Sequence, residues 1–145
     1  MFNHESPFRG ERFVTKKIIS SVVKISQNKQ HKLQLGNLDI IRDWGWAPEY
    51  VEAMWKMLQQ ENANDYVIAT GRSVTLKHFV MNAFNYFKLD PEQYLVLNKT
   101  LLRPTELRCS YANPEKAQQQ LDWKAQYDVD DVVKMMIEEE LQEYS

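Results

Sequence analysis

Phe2-Asn3-His4-Glu5-Ser6-Pro7-Phe8-Arg9-Gly10 runs on through Glu11-Arg12-Phe13 into Val14-Thr15-Lys16-Lys17-Ile18, and its reading sets the fold class. Pro7 bars helix at Ser6 and Gly10 permits an unusual backbone, so Met1 to Gly10 reads as a short extended piece ending in a turn. Val14, Ile18, Val22 and Ile25 then recur at helical spacing, which predicts a helix from about Phe13 to Gln27 that buries this stripe. Strand, turn and amphipathic helix together open a mixed α/β unit. Working outward, Leu33-Gln34-Leu35 alternates like a short strand stopped by Gly36. A helix follows Pro48, a residue suited to a first helical turn, with Val51, Met54, Trp55 and Leu58 as its stripe. Tyr66-Val67-Ile68-Ala69 reads as a buried strand between polar flanks.

Thr75 caps a third helix that sets Leu76, Phe79, Val80, Ala83, Phe84 and Phe87 on one face. Tyr94-Leu95-Val96-Leu97 is a further strand. Asn113-Pro114 starts a short helix to about Leu121, and the last helix presents Val129, Val132, Val133, Met136, Ile137 and Leu141. With no repeat, low-complexity tract or linker, residues 1–145 are expected to form one mostly helical α/β domain with four or more helices and two or three short strands.

Composition narrows the function classes. The 145 residues are 43% hydrophobic, 26% charged and 12% aromatic, enough for a soluble core rather than disorder. No apolar run approaches the roughly 20 residues that span a bilayer, and no leader peptide is visible at the start. Cys109 is the only cysteine, so no internal disulfide can form and a reducing cytoplasm is the simplest home. Histidines at 4, 31 and 78 are scattered, which argues against a metal site. The net charge of -2 hides an asymmetry. Seven basic residues stand against Glu5 and Glu11 through Lys32, and seven acidic ones against Lys134 from Asp128 onward. This is either a field that steers an anionic ligand or two solvated helix faces. No basic run with interleaved aromatics points to nucleic acid.

Several chemistries are missing. Glycine occurs only at 10, 36, 45 and 71, so neither G-x-G-x-x-G nor a phosphate loop can be drawn. No tyrosine stands four residues before a lysine, and no G-x-S-x-G elbow exists. No catalytic residue is therefore assigned. Candidate binding groups remain. Asn3 offers an amide, His4 an imidazole and Arg9 a forked guanidinium suited to phosphate, although His4 and Ser6 could simply satisfy turn backbone. Lysines beside an apolar stripe, such as Lys17, usually face solvent. Arg42–Asp43 and Arg103–Glu106 could be local ion pairs. Trp44, Trp46, Trp55 and Trp123 read as packing residues, and Met135 and Met136 as core or rim.

Three motifs say more. Residues Phe2 to Gly10, Gly36-Asn37-Leu38-Asp39-Ile40-Ile41-Arg42-Asp43-Trp44-Gly45, and Arg103-Pro104-Thr105-Glu106 occur in this order. Together they resemble the substrate-binding half of the GDP-mannose 4,6-dehydratase family, extended short-chain dehydrogenases/reductases that act on sugar nucleotides. The resemblance implies a mostly helical α/β substrate domain without most of the Rossmann domain. Its implied partner is that missing half, or a full-length relative, with a homo-oligomer in the parent and no nucleic acid or membrane. It implies that Asn3 faces a substrate diphosphate, while His4 and Arg9 contact NADP held mainly elsewhere. Val14 and Lys17 would meet the guanine base, Arg42 and Arg103 would bind phosphate through charge-assisted hydrogen bonds, and Glu106 would accept from a ribose hydroxyl.

The implied activity is conversion of GDP-mannose to GDP-4-keto-6-deoxymannose with recycled NADP. The alternatives are a non-catalytic remnant that binds GDP-sugars or docks on a full-length relative, or part of a sibling reductase or epimerase. A large apolar patch is expected where a cofactor domain would dock. The chain departs from the family pattern at Phe8, where arginine is usual, and at Trp46, where histidine is. It also carries Leu107-Arg108 after Glu106, and Asp122 in place of the glycine before Trp123.

Overall fold

In the computed structural model, which describes residues 1–102 and 105–143, the opening becomes β1 (Asn3–Glu5) and the first stripe becomes α1 (Val14–Ser26). There follow β2 (Leu33–Leu35), β3 (Ile41–Trp46), α2 (Ala47–Leu58), β4 (Ser73–Thr75), α3 (Leu76–Tyr86) and a single-turn α4 (Pro91–Tyr94). β5 (Leu95–Leu97), a 3-10 turn at Lys99–Leu101, α5 (Glu115–Leu121) and α6 (Val129–Glu143) complete the chain. Thr75 caps α3 by accepting from the His78 amide at 3.1 Å, and Asn113 accepts from the Glu115 amide at 2.9 Å at the start of α5.

The strands make two small sheets. β3 lies between β1, which it pairs in parallel with His4 opposite Gly45, and β4, which it pairs antiparallel with Arg42 opposite Val74. β2 and β5 pair in parallel. The main core is the meeting of α1, α3 and α6 over these strands, through Ile18, Val22, Phe79, Phe84, Val132, Met136 and Ile137. A smaller cluster of Tyr50, Ala53, Ile68, Leu121 and Trp123 sits beneath α2 and α5.

The charge asymmetry resolves in this packing. Basic α1 and acidic α6 lie side by side, and both Lys16 and Glu140 are buried. Lys16 Nζ donates to Glu140 Oε2, and Ser20 Oγ donates to Glu140 Oε1 at 2.5 Å. Part of what the sequence presents as two solvated faces is therefore an internal contact.

Three expectations are corrected. First, five strands are present among the described residues rather than two or three, because β3 and β4 go unrecognised in the sequence. Arg42, Asp43 and Gly45 interrupt any alternating pattern in β3, and pairing on both sides holds it extended. Second, Tyr66–Ala69 is not a strand. Ile68 and Ala69 are buried, but the run is tied by an isolated bond from the Phe2 amide to the Ile68 carbonyl at 2.9 Å. Third, the stripe assigned to α2 faces outward, with Val51 and Trp55 61% and Leu58 81% exposed. Trp55 is thus no packing residue, whereas Trp44 and Trp123 are buried as expected. The helix instead turns Tyr50 and Ala53 inward, and the Trp123 indole donates to the Glu49 carbonyl at 3.0 Å. The Asp122 departure lies where the sequence puts it: Asp122 ends α5 in the left-handed region at φ 46°, where glycine is cheaper.

Candidate functional site

A cleft of about 620 Å³ opens where the start of α1 faces the end of β2. Arg12, Phe13, Val14 and Lys17 form one wall, Leu35, Gly36 and Asn37 a second, and Ile40, Leu76, Leu101 and Glu106 close it. Two basic side chains and one carboxylate thus surround an apolar floor, the pattern of a site that holds a flat group and fixes it with a few polar contacts. The floor depends on Gly36, since a Cβ there would come within 2.8 Å of the Leu101 carbonyl oxygen. α1 begins without a side-chain cap and with no acidic residue in its first turn, so the dipole at this end is left to favour negative charge.

Of the sequence candidates, Val14, Lys17 and Glu106 come together here. Lys17 Nζ donates to the Gln34 carbonyl at 2.7 Å, which draws its head across the cleft toward β2. Arg12, Phe13 and Asn37 are cleft residues that the sequence reading missed. Phe13 carried a signal in hindsight, standing just after arginines at 9 and 12. The Arg9 guanidinium lies 3.9 Å and the Arg12 guanidinium 5.1 Å from its ring centroid, a stack that orients both cations.

Asn3, His4 and Arg9 are not in this cleft wall. Asn3 and His4 lie on β1, opposite Trp44 and Gly45. His4 Nδ1 is 2.9 Å from the Phe2 carbonyl, which keeps the proton on Nδ1, and the imidazole packs 5.3 Å from the Tyr50 ring. Gly45 makes this arrangement possible, since a Cβ at that position would sit 2.5 Å from a Tyr50 ring carbon. Arg9 Nε lies 3.2 Å from Glu5 Oε2, within ion-pair range but not aligned as a hydrogen bond. Glu5 also accepts from Thr15 Oγ1 at 2.7 Å and is 1% exposed. Its burial raises the carboxyl above the ordinary 4.5, against the Thr15 bond and the positive charge of Arg9. Burial likewise raises the Tyr50 phenol, with the Asp43 and Glu49 charges adding to it.

Arg42 makes neither a cleft wall nor the local ion pair with Asp43. Its guanidinium donates to the Ile41 carbonyl at 2.8 Å and to the Leu107 carbonyl at 2.6 Å, tying the segment that carries Glu106 to β3. Asp43 is fully buried and holds the turn after Ala69, accepting from the Thr70 amide at 3.0 Å and the Gly71 amide at 2.8 Å. Arg103 lies outside the described residues. Among the described residues no group of three or more His, Cys, Asp or Glu could hold a metal ion, and no helix is long and apolar enough to cross a membrane.

Residues 1–136 match the family described as GDP-mannose 4,6 dehydratase. GDP-mannose 4,6 dehydratase 1 of Arabidopsis thaliana is 46% identical over 142 residues, covering 98% of this chain and 39% of its own length. The human GDP-mannose 4,6 dehydratase is 38% identical over 94% of this chain and 41% of its own. Among solved structures, RMD of Pseudomonas aeruginosa, complexed with NADPH, superposes with a TM-score of 0.87 at 16% identity, over 97% of this chain and 46% of that one. A Bacillus anthracis dTDP-glucose 4,6-dehydratase with NAD gives 0.80 at 16%, over 97% and 43%. These two likenesses speak for the fold alone. The chain spans about two fifths of the length of its curated relatives.

Proposed function

We propose that this chain, which belongs to the GDP-mannose 4,6-dehydratase family, is the sugar-nucleotide-binding part of such an enzyme. The observation that carries the reading is the cleft at the start of α1, which Lys17, Val14 and Glu106 line together. In this reading the guanine base lies against Phe13 and Val14, with Lys17 Nζ donating to its carbonyl oxygen. Glu106 accepts from the ribose hydroxyl. Arg42 and Arg103 neutralise the diphosphate, which Asn3 faces from β1. For Arg42 this requires at least one guanidinium nitrogen to leave its backbone carbonyl when nucleotide binds. Residues 1–145 act as a single binding domain in the cytoplasm, and the rest of the enzyme's length supplies the nucleotide-cofactor half.

NADP, when bound, would supply hydride chemistry to the whole enzyme. The residues here fit only its edge. His4 keeps Nε2 for an outside partner while Nδ1 is fixed on the Phe2 carbonyl. Arg9 presents a guanidinium braced by Glu5 and Phe13. No glycine-rich turn occurs in this sequence to cradle a pyrophosphate. The chain by itself therefore binds and orients without turnover, since it holds no tyrosine–lysine pair to take the sugar's hydroxyl proton.

Calorimetry with GDP, GDP-mannose and UDP-glucose tests this. GDP and GDP-mannose should bind alike, in roughly the high micromolar range for an open, solvent-screened cleft, and more weakly in high salt. UDP-glucose should bind less well. Lys17→Ala should erase the preference for guanine, and Arg103→Ala should weaken all three. Equal binding of all three nucleotides by wild type, Lys17→Ala and Arg103→Ala would refute the site.

A further inference from the structure

We infer that Glu140, near the end of the last helix, is a positioning residue for the nucleotide cleft, acting through Lys16 on the turn that follows β1. Glu140 lies outside residues 1–136 matched by the family, and 124 positions from Lys16 in sequence. Yet it is 2% exposed, and the buried Lys16 ammonium donates both to its Oε2 and, at 2.9 Å, to the Pro7 carbonyl. Ser20 fixes the other carboxylate oxygen. The preceding residue of α1, Thr15, donates to Glu5, beside which Arg9 Nε lies. Neighbouring side chains of one helical turn therefore hold the start of the Ser6–Gly10 turn at two points, Thr15 at Glu5 and Lys16, backed by Glu140, at the Pro7 carbonyl.

What this clamp sets is the cleft wall. With Pro7 and Glu5 fixed, Arg9 lies over the Phe13 ring, and Phe13 lines the cleft beside Arg12. A buried ion pair is a poor device for stability alone, because desolvation offsets most of the attraction, and apolar replacements of similar volume are often neutral. What an apolar pair cannot replace is the bond from Lys16 to the Pro7 carbonyl. The pair is thus built to place the turn.

This inference rests on the nucleotide reading above only for its second readout. The double variant Lys16→Met/Glu140→Leu keeps volume without leaving a lone buried charge, and Lys16→Arg keeps the donor. In the full chain, the double variant should melt within a few degrees of wild type. The Arg9 amide, bonded to the Ser6 carbonyl at 3.1 Å, should exchange with solvent at least about tenfold faster than in wild type, the factor expected for losing one charge-assisted bond. GDP affinity should fall several-fold, and Lys16→Arg should restore both readouts. Unchanged Arg9 exchange in a folded double variant would overturn the inference, whatever GDP does. A melting temperature that collapses while Lys16→Arg exchanges like the double variant would also overturn it, reducing the pair to a stability element. Faster exchange with no GDP binding by wild type would leave the clamp standing and remove the nucleotide reading.

Discussion

α2 and α3 are helices of nearly equal length with equally clear apolar stripes, and the fold treats them in opposite ways. The stripe of α3, from Leu76 to Phe84, is fully inside, against α1 and α6. That of α2 is fully outside, and the helix is anchored by Tyr50 and Ala53 on another face. Tyr50 decides the matter. Its ring fills the space over Gly45, meets His4, and takes the Trp123 indole edge-on at 5.9 Å. Periodicity reports that a face is apolar. Which of two apolar faces packs within the chain is settled by shape, and here a glycine and a tyrosine fit as knob and hole.

The largest effect should come from the α3 side. Phe84→Ala removes a fully buried ring stacked 6.3 Å from Tyr94, and should cost about 3–5 kcal/mol in urea unfolding. A loss below about 1 kcal/mol would mean the two helices are not different in kind. Next, Gly45→Ala presses a methyl into the Tyr50 ring and should cost about 1–3 kcal/mol. Adding Tyr50→Leu should recover part of that loss, and strict additivity of the two changes would show that they do not touch.

A smaller effect sharpens the comparison where β1 meets α1. Because burial raises the Glu5 carboxyl above 4.5, the folded state keeps a proton that the unfolded chain has already lost. The stability due to this group is therefore present below 4.5 and declines as pH rises through the raised value. Glu5→Gln, which titrates in neither state, should gain stability relative to wild type between about pH 4 and 7. Thermal melts of both proteins across that range check it, and a difference that narrows with rising pH would reverse the sign argued here. The smallest effect belongs to α2. Trp55→Lys should change stability by less than about 0.5 kcal/mol. A loss above about 2 kcal/mol would show that the face is covered in solution.

The helices were legible in the sequence because caps and stripes are local. Thr75 caps α3 as read, Pro114 takes the cap position of α5 with Asn113 accepting from the Glu115 amide just before it, and the α1 and α6 stripes lie within a residue or two of their expected places. β3 was not legible, since its extension comes from neighbours on both sides rather than from its own residues. At the site, Val14, Lys17 and Glu106 came from family likeness, and the cleft brings them together. Arg12 and Asn37 escaped notice because polar residues beside turns are common, and only the approach of β2 makes them walls. Lys16 was harder still. Its burial depends on Glu140, and no local pattern links positions so far apart.

That distance also has a consequence in time. The first helix ends at Ser26, whereas its cover, α6, begins only at Val129 and is made about a hundred residues later. β1 must likewise wait for β3, and β2 for β5, in parallel pairings that no tight hairpin can nucleate. At ribosomal rates of about 5–20 residues per second, Ile18, Ile19, Val22 and Val23 stay uncovered for roughly ten seconds in every newly made chain. During that interval α1 is a ready target for chaperones, and the run from Ile18 to Val23 is where a slowed ribosome would be felt first.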